Sequence, residues 1–253
     1  MINLPPPSLA KIASFMTLFT VLAVSASPSI GIGSMYDVLT SGTQSMTKRI
    51  YNSGDSTAFV RVDILEIDPA AKKSNQESPQ KENQGNRLEK DRLIVTPLRL
   101  IIPPNGFQSV RLLWPGERSH ERYFRLRFTP VMPTVNDGFG LDEKSVDKYK
   151  KEALHAGVNV LTGYGSILIA QPDTPYFNTE TEENKQGDIT VINKGNATVS
   201  LDEIRYCKSG NTDCSATSRE FLLPGRSYTI TKKADYKINY TLIEGESKKT
   251  ITY

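Results

Sequence analysis

The stretch Gly157-Val-Asn-Val-Leu-Thr-Gly-Tyr-Gly-Ser-Ile-Leu-Ile-Ala-Gln-Pro172 decides the fold of this chain. Its first half places Val158 and Val160 on either side of a polar residue, which predicts a strand with one buried face. Its second half, 167–170, is apolar on both faces, as in a strand that runs into a core. Pro172 ends the strand because proline has no N–H to donate to a neighbouring strand. A strand with a fixed core half and an apolar start could pair with a strand outside its own sheet.

Short alternating segments separated by turn residues lie on both sides of this stretch. Phe59 to Ile67, for example, places alternate aliphatic residues on one face. The polar segment before the organising strand includes residues 142–154, which we interpret as a loop. Another polar segment, 69–92, is rich in Lys, Asn, Gln and Glu and is predicted to be disordered because it has little apolar area to bury.

These patterns predict an all-β protein with two domains. About seven short strands without a convincing amphipathic helix indicate a β-sandwich in the N-terminal domain, residues 27–171. A second, shorter set of strands predicts a small C-terminal β-domain at 172–253, so the boundary lies near residue 172.

The N-terminus has the pattern of a secretory signal. Lys11 is followed by the apolar run 12–24 and then by the small residues 25–27. The run is shorter than the roughly 20 residues that a membrane-spanning helix needs, which favours a signal peptide at 1–26 over an anchor. We therefore expect export and cleavage near Ala26.

The composition argues against several other functions. The chain has 31 basic and 28 acidic residues, so its net charge of +3 does not indicate a nucleic-acid-binding protein. Cys207 and Cys214 are the only cysteines, and an even pair this close in an exported protein predicts a disulfide. A metal site is the alternative, but the only histidines, His120 and His155, lie far from them in sequence.

We expect no enzyme activity, cofactor, metal or small-molecule substrate. Both histidines lie in segments that look exposed, so neither is a strong candidate for a catalytic base. No glycine-rich phosphate loop follows a predicted strand.

Several segments follow one another in a characteristic order and spacing. They are Thr96-Pro-Leu-Arg-Leu100, Pro104-Asn-Gly106, Val110-Arg-Leu112, Glu121-Arg-Tyr-Phe-Arg-Leu-Arg127, Asn193-Lys-Gly-Asn-Ala-Thr198 and Leu223-Pro-Gly225. Together they resemble motifs of the PapD-like periplasmic fimbrial chaperones. The segments Ser45–Ile50 and Gly165–Pro172 are similar to strands of the common-pilus branch, which serves alternate chaperone–usher systems.

This resemblance implies a fold, a function and a set of partners. The fold is two immunoglobulin-like domains in an L-shape. The function is to bind, fold and stabilise pilin subunits in the periplasm and deliver them to an outer-membrane usher for pilus assembly. The mode is β-augmentation, in which the chaperone lends a strand to a pilin that lacks one; pilin chaperones are a known example of this mode. The free protein would then be a monomer or a self-capped dimer.

The donor strand is predicted at Val158, Val160 and Thr162, which face the same way because they lie two residues apart. The alternative function is a secreted two-domain adhesin or carbohydrate-binding module. A pilus subunit would instead carry its alternating strand at the N-terminus, whereas here the strand follows a complete set of strands.

The sequence departs from the family at the site that holds the pilin's C-terminal carboxylate. Most members have an arginine in the first strand and a lysine in the last, where this chain has Tyr36 and Ile167. A carboxylate in a partly dry cleft still needs a cation. We expect the substitutes to be Lys48, Arg125 or, as a third choice, Arg61. The alternative for each is a solvated charge at a strand edge.

A second departure concerns the family's charge network between the domains. Gln171 replaces the arginine of that network, whereas Glu121 fits its acidic partner.

Overall fold

The structure is a computed structural model that describes residues 27–71, 77–79, 92–155, 161–208 and 213–253. These residues form seventeen strands and one helix. The predicted all-β class is therefore confirmed. The proposed signal peptide and the residues Val158 and Val160 lie outside the described ranges.

Ten strands and the helix make up the first half of the described chain. In chain order they are β1 (Ile30–Gly31), β2 (Tyr36–Leu39), β3 (Ser45–Asn52), β4 (Ala58–Ile67), β5 (Glu77–Pro79), β6 (Ile94–Thr96), β7 (Arg99–Ile102), β8 (Phe107–Leu113), β9 (Arg122–Pro130), α1 (Glu143–His155) and β10 (Tyr164–Ala170).

Two sheets in this half enclose one core, and we call them together the first sandwich. The first sheet has the order β1-β3-β8-β6, and the second has the order β2-β10-β9-β4-β5, with β7 pairing to β4. The inward residues alternate with outward ones along each strand, as a half-buried sheet requires. Trp114, Phe124, Phe128 and Leu100 are among the fully buried side chains at the centre.

The remaining strands form a second sandwich with its own core. In chain order they are β11 (Thr179–Glu183), β12 (Ile189–Asn193), β13 (Val199–Lys208), β14 (Ser218–Leu222), β15 (Ser227–Ile230), β16 (Tyr236–Glu244) and β17 (Ser247–Thr252). One sheet has the order β11-β12-β15 and the other the order β14-β13-β16-β17. The two sandwiches adjoin near residue 171, where the sequence places the domain boundary; that boundary stays a prediction.

The segment 142–154, interpreted from the sequence as a loop, is helical instead. Asp142 Oδ1 accepts a hydrogen bond from the Ser145 N–H at 2.8 Å and so caps the first turn of α1. Val146 is buried, and the Tyr149 ring packs edge-on against Phe59 with centroids 4.9 Å apart. The interpretation was wrong because these two apolar contacts fix an otherwise polar helix, and their partner lies far away in sequence.

Part of the segment 69–92, predicted to be disordered throughout, is ordered in the structure. Residues Glu77–Pro79 form β5, which pairs antiparallel with Leu65–Ile67 at the edge of the second sheet. The prediction is therefore wrong for these three residues. Residues 72–76 and 80–91 lie outside the described ranges.

The predicted disulfide is present. Cys207, at the end of β13, bonds to Cys214, and an isolated bridge pairs the two residues antiparallel. The bond closes the base of the loop that follows β13.

Candidate functional site

Strand β10 is paired along its whole length on one side and along only part of its length on the other. Residues 164–170 pair antiparallel with β9, whereas only 167–170 pair in parallel with β2. Among the described residues, no strand pairs with 164–166 on the β2 side. We call this side of residues 164–166 the open edge. The Ile167 N–H, which bonds to the Met35 carbonyl at 2.8 Å, marks its end.

The backbone of Gly165 faces the open edge. Ile167 directs its N–H toward β2, and successive residues of a strand direct their backbone groups to alternate sides. Gly165 therefore directs its N–H and C=O the same way as Ile167. An unpaired edge of this kind is a template for pairing with another chain.

The predicted donor residues continue this strand toward its N-terminal side. Thr162 is exposed and precedes β10. Val158 and Val160 lie outside the described residues, so the donor strand stays a prediction.

The two sites at which the family carries its cations are neighbours here. Tyr36 of β2 and Ile167 of β10 are directly paired in the register, on the outer face of the second sheet. Neither is charged. The Tyr36 ring instead stacks on Phe221 of the second sandwich, with centroids 4.2 Å apart.

Arg125 lies beside this pair. It is paired with Ile167 across β9 and β10, so both side chains lie on the same face of the sheet. Its guanidinium and methylene atoms lie 3.6 Å from the position that a Cβ atom at Gly165 would occupy. Of the three predicted cations, Arg125 thus lies next to the open edge.

Lys48 lies elsewhere, on the inner face of the first sheet. Its Nζ donates to Asp37 Oδ2 and to the Ser34 carbonyl, both at 2.7 Å. Both charged side chains are largely buried, at 4% and 11% exposure for Lys48 and Asp37. This ion pair joins β3 of the first sheet to β2 of the second, so Lys48 has one N–H left for any other partner.

Arg61 is an exposed residue of β4. Its Nε lies 3.1 Å from Asp63 Oδ2 on the same strand. The structure therefore does not bring the three predicted cations together. Arg61 and Arg125 lie on two strands of the second sheet, and Lys48 belongs to the first.

A cavity of about 350 Å³ lies where the two sandwiches meet. Val38 and Ile169, which are paired across β2 and β10, line one side of it, and Phe177 and Phe221 line the other. Glu246 is the one charged residue among the described residues that line this cavity. A carboxylate would find no cation there, which separates the cavity from the site of Arg125.

Glu121 connects the two sandwiches, as the sequence resemblance implied. Its carboxylate accepts hydrogen bonds from the N–H and hydroxyl of Thr198 in the second sandwich, and from the Tyr123 hydroxyl at 2.6 Å. Burial raises the pKa of Glu121 more strongly than these hydrogen bonds lower it. Burial, reinforced by the neighbouring carboxylate of Glu121, also raises the pKa of Tyr123.

The arginine of this junction is Arg118, which was not predicted from the sequence. Its buried guanidinium donates to the carbonyls of Gln171, Thr40 and Thr43 at 2.6–2.9 Å, and it pairs with Asp173 at 3.4 Å. Arg118 thus fixes the chain at the point where it leaves the first sandwich. Its only signal in the sequence was a charged residue close to Trp114.

The described part of the chain contains no group of three residues able to hold a metal ion. His120 is exposed, and its Nδ1 lies 3.0 Å from the Ser119 hydroxyl. Within the same ranges, none of the helical residues forms a segment with the length and hydropathy of a membrane span.

No family model matches this chain. Curated relatives do. The probable fimbrial chaperone EcpB of Escherichia coli O157:H7 is 22% identical over 228 residues, which cover 88% of this chain and 91% of the relative. A CFA/I fimbrial protein of Escherichia coli is 24% identical over 162 residues, or 61% of this chain and 64% of the relative, a little under two thirds of its length.

Solved structures share the fold. The class 5 fimbriae chaperone CfaA superposes with a TM-score of 0.54 at 19% identity, over 88% of this chain and 98% of CfaA. The Escherichia coli chaperone DraB gives 0.54 at 15% identity, over 90% and 96%. The SafB chaperone, solved with the Salmonella enterica SafA pilin, gives 0.52 at 16% identity, over 89% and 95%. In sequence order, fold and curated relatives, this chain resembles the PapD-like fimbrial chaperones, on the side of the common-pilus branch.

Proposed function

We propose that this protein is a periplasmic chaperone that binds pilin subunits by strand donation and passes them to an outer-membrane usher. The observation that carries the proposal is the open edge of β10. It leaves the backbone of Gly165 without a strand partner among the described residues, in a strand whose core half is fixed on both sides. The similarity to EcpB and to the SafB chaperone in its pilin complex supports this function.

The donated strand would stabilise a pilin in two ways. The pilin's unpaired strand would add to the open edge through main-chain hydrogen bonds. Val158 and Val160 would fill the apolar groove left by the pilin's missing strand, at roughly 1.5–3 kcal/mol for each fully buried aliphatic side chain. The fixed part of β10, 167–170, holds the donor in position without itself being donated.

Arg125 is our first choice for the cation that holds the pilin's terminal carboxylate. It lies on the outer face next to Ile167 and Gly165, at the beginning of the open edge. Lys48 is now less suitable, because its ammonium group is buried and bound to Asp37. Arg61 lies farther from β10, on β4, and is already paired with Asp63.

The periplasmic location, the signal peptide at 1–26 and the usher complete the proposal. The disulfide of Cys207 and Cys214 supports an oxidising compartment, since such bonds are rare in the cytosol. The division into domains at 27–171 and 172–253 belongs to the same proposal.

Co-purification tests this function. The tagged chaperone is co-expressed with the pilin subunits encoded beside it and isolated from a periplasmic extract. We expect it to retain a pilin in a stoichiometric complex. A protein that retains sugars or host glycoproteins but no pilin would be the secreted adhesin or carbohydrate-binding module instead.

A further inference from the structure

The carboxylate of Glu77 lies between the guanidinium groups of two neighbouring arginines. Its Oε1 lies 2.6 Å from Arg125 Nε, and its Oε2 lies 2.7 Å from Arg127 Nη2. Both oxygens of one carboxylate are therefore engaged with β9. Arg125 is also the residue to which the proposed function assigns the pilin's terminal carboxylate.

Glu77 reaches these arginines from a separate segment of chain. It begins β5, which pairs with only three residues of β4, opposite Leu65 to Ile67. The other ion pairs on this face join residues of the sheet's long strands: Arg61 pairs with Asp63, and Arg122 pairs with Glu66. Glu77 alone among these acidic partners belongs to a short edge strand, which has few bonds to hold it in place.

A glutamate side chain and a protein C-terminus present the same group to an arginine. Each is a carboxylate with two acceptor oxygens, and the planar guanidinium binds such a group through paired N–H donors. The Arg125 Nε–H donates to Glu77, so the same N–H cannot serve a second carboxylate at the same time.

We propose that Glu77 is an internal competitor that holds Arg125 until the terminal carboxylate of a pilin displaces it. This inference rests on the proposed function and adds a specificity-determining residue to it. A partner whose terminus does not reach Arg125 fails to displace Glu77, so the exchange favours pilins with a correctly placed carboxylate. Arg127 keeps Glu77 nearby after the exchange because it has its own contact with Oε2.

The size of the effect follows from the exposure of the pair. The side chains of Arg125 and Glu77 are 36% and 28% exposed, and ion pairs this accessible are weak. The competition should therefore lower the affinity for pilin by about threefold rather than by orders of magnitude. High salt should reduce the effect further because it screens accessible charges.

The test measures binding of the co-purified pilin to the wild type and to four chaperone variants. We expect Glu77→Gln to bind pilin about threefold more tightly than the wild type, because the competing charge is gone. Arg125→Ala should bind more weakly, and adding Glu77→Gln to Arg125→Ala should change nothing further. Glu66→Gln is the matched control, since it removes a carboxylate paired with Arg122 on the same face and should leave affinity unchanged.

The outcomes separate this inference from the proposed function. If the wild type binds no pilin, the proposed function fails. If Arg125→Ala binds as well as the wild type, the anchor lies elsewhere and the competition at Arg125 is overturned with it. If Arg125→Ala weakens binding but Glu77→Gln does not tighten it, only the competitor role is wrong. A loss of fold cannot imitate the expected result, because a damaged protein would not bind more tightly.

Discussion

Asn52 in the first sandwich and Asn193 in the second occupy equivalent places, each at the end of a strand and before a turn that contains glycine. Each asparagine is fully buried, and each side-chain amide donates to backbone carbonyls of two other segments. Asn52 Nδ2 bonds to the carbonyls of Ser56 and Ile102 at 2.8 and 3.1 Å. Asn193 Nδ2 bonds to those of Ala197 and Leu222 at 2.9 and 2.8 Å.

The glycine two residues later has the same role in both sandwiches. The backbone of an adjoining segment passes directly over Gly54 and over Gly195. A Cβ atom would lie 2.2 Å from the Ser27 carbonyl at the first and 2.3 Å from the Tyr176 carbonyl at the second. Each turn therefore binds the segment that leads into its own sandwich, through a contact only glycine allows.

The two sandwiches differ in the use of their last strand. Strand β17 pairs with β16 along its whole length, from Ser247 to Thr252, and is the final strand of its sheet. Strand β10 lies inside its sheet, but its neighbour β2 covers only 167–170. The same construction thus gives one sandwich that uses its last strand for itself and one that leaves part of an inner strand open.

The largest expected effect removes this difference. Val158→Asp combined with Val160→Asp should abolish pilin binding, with a loss of more than about a hundredfold, since two buried aliphatic side chains are replaced by carboxylates. Thermal stability should hardly change, because the first sandwich has a complete core without them. Calorimetric unfolding and pilin co-purification measure the two properties. These residues lie outside the described ranges, so this prediction rests on the sequence pattern.

Asn159→Asp is the matched control, because it adds the same charge on the opposite side of the strand. It should leave pilin binding nearly intact. An unfolded Val158→Asp/Val160→Asp protein, or one that still assembles pili, would mean that these valines belong to the protein's own core.

The next effect tests the likeness of the two sandwiches. Asn52→Ala and Asn193→Ala should each lower the free energy of unfolding by about 3 kcal/mol, because each leaves buried backbone groups without a partner. Urea unfolding followed by circular dichroism measures both. Asn136→Ala, in an exposed loop, should change the free energy by less than about 0.5 kcal/mol. A large loss for one buried asparagine and none for the other would break the comparison.

Much of the fold could be predicted because its signals are local. The alternation in β4 and the apolar run in β10 follow from the period of two, which every strand carries in its own sequence. The sequence also placed Lys48 correctly, in step with the inward-facing Met46 and Ile50 of β3.

The site was harder to predict because its partners come from distant segments. The pairing of Lys48 with Asp37 joins two sheets, and nothing in either strand alone specifies it. The same is true of Glu77, which comes from a polar segment without a strand pattern, and of Arg118, whose partners are mostly backbone carbonyls. Such contacts depend on tertiary packing, which no local pattern encodes.

The smallest expected effect concerns the junction of the two sandwiches. Glu121 has a raised pKa in the folded protein, so the folded state binds a proton more readily than the unfolded chain. Its contribution to stability is therefore present below the usual value of about 4.5 and is lost as pH rises through the raised pKa. Each unit of difference between the two states corresponds to about 1.4 kcal/mol.

Glu121→Gln should remove this dependence, because the amide stays neutral and its oxygen can still accept the Thr198 N–H and the Tyr123 hydroxyl. Urea unfolding of both proteins from pH 4.5 upward gives the difference in stability. The wild type should lose stability relative to Glu121→Gln as pH rises, whereas Glu182→Gln, an exposed change on β11, should follow the wild type. A difference that stays constant with pH would mean that Glu121 titrates normally. The junction would then tolerate its buried carboxylate, and the hydrogen bonds from Thr198 would offset the effect of burial.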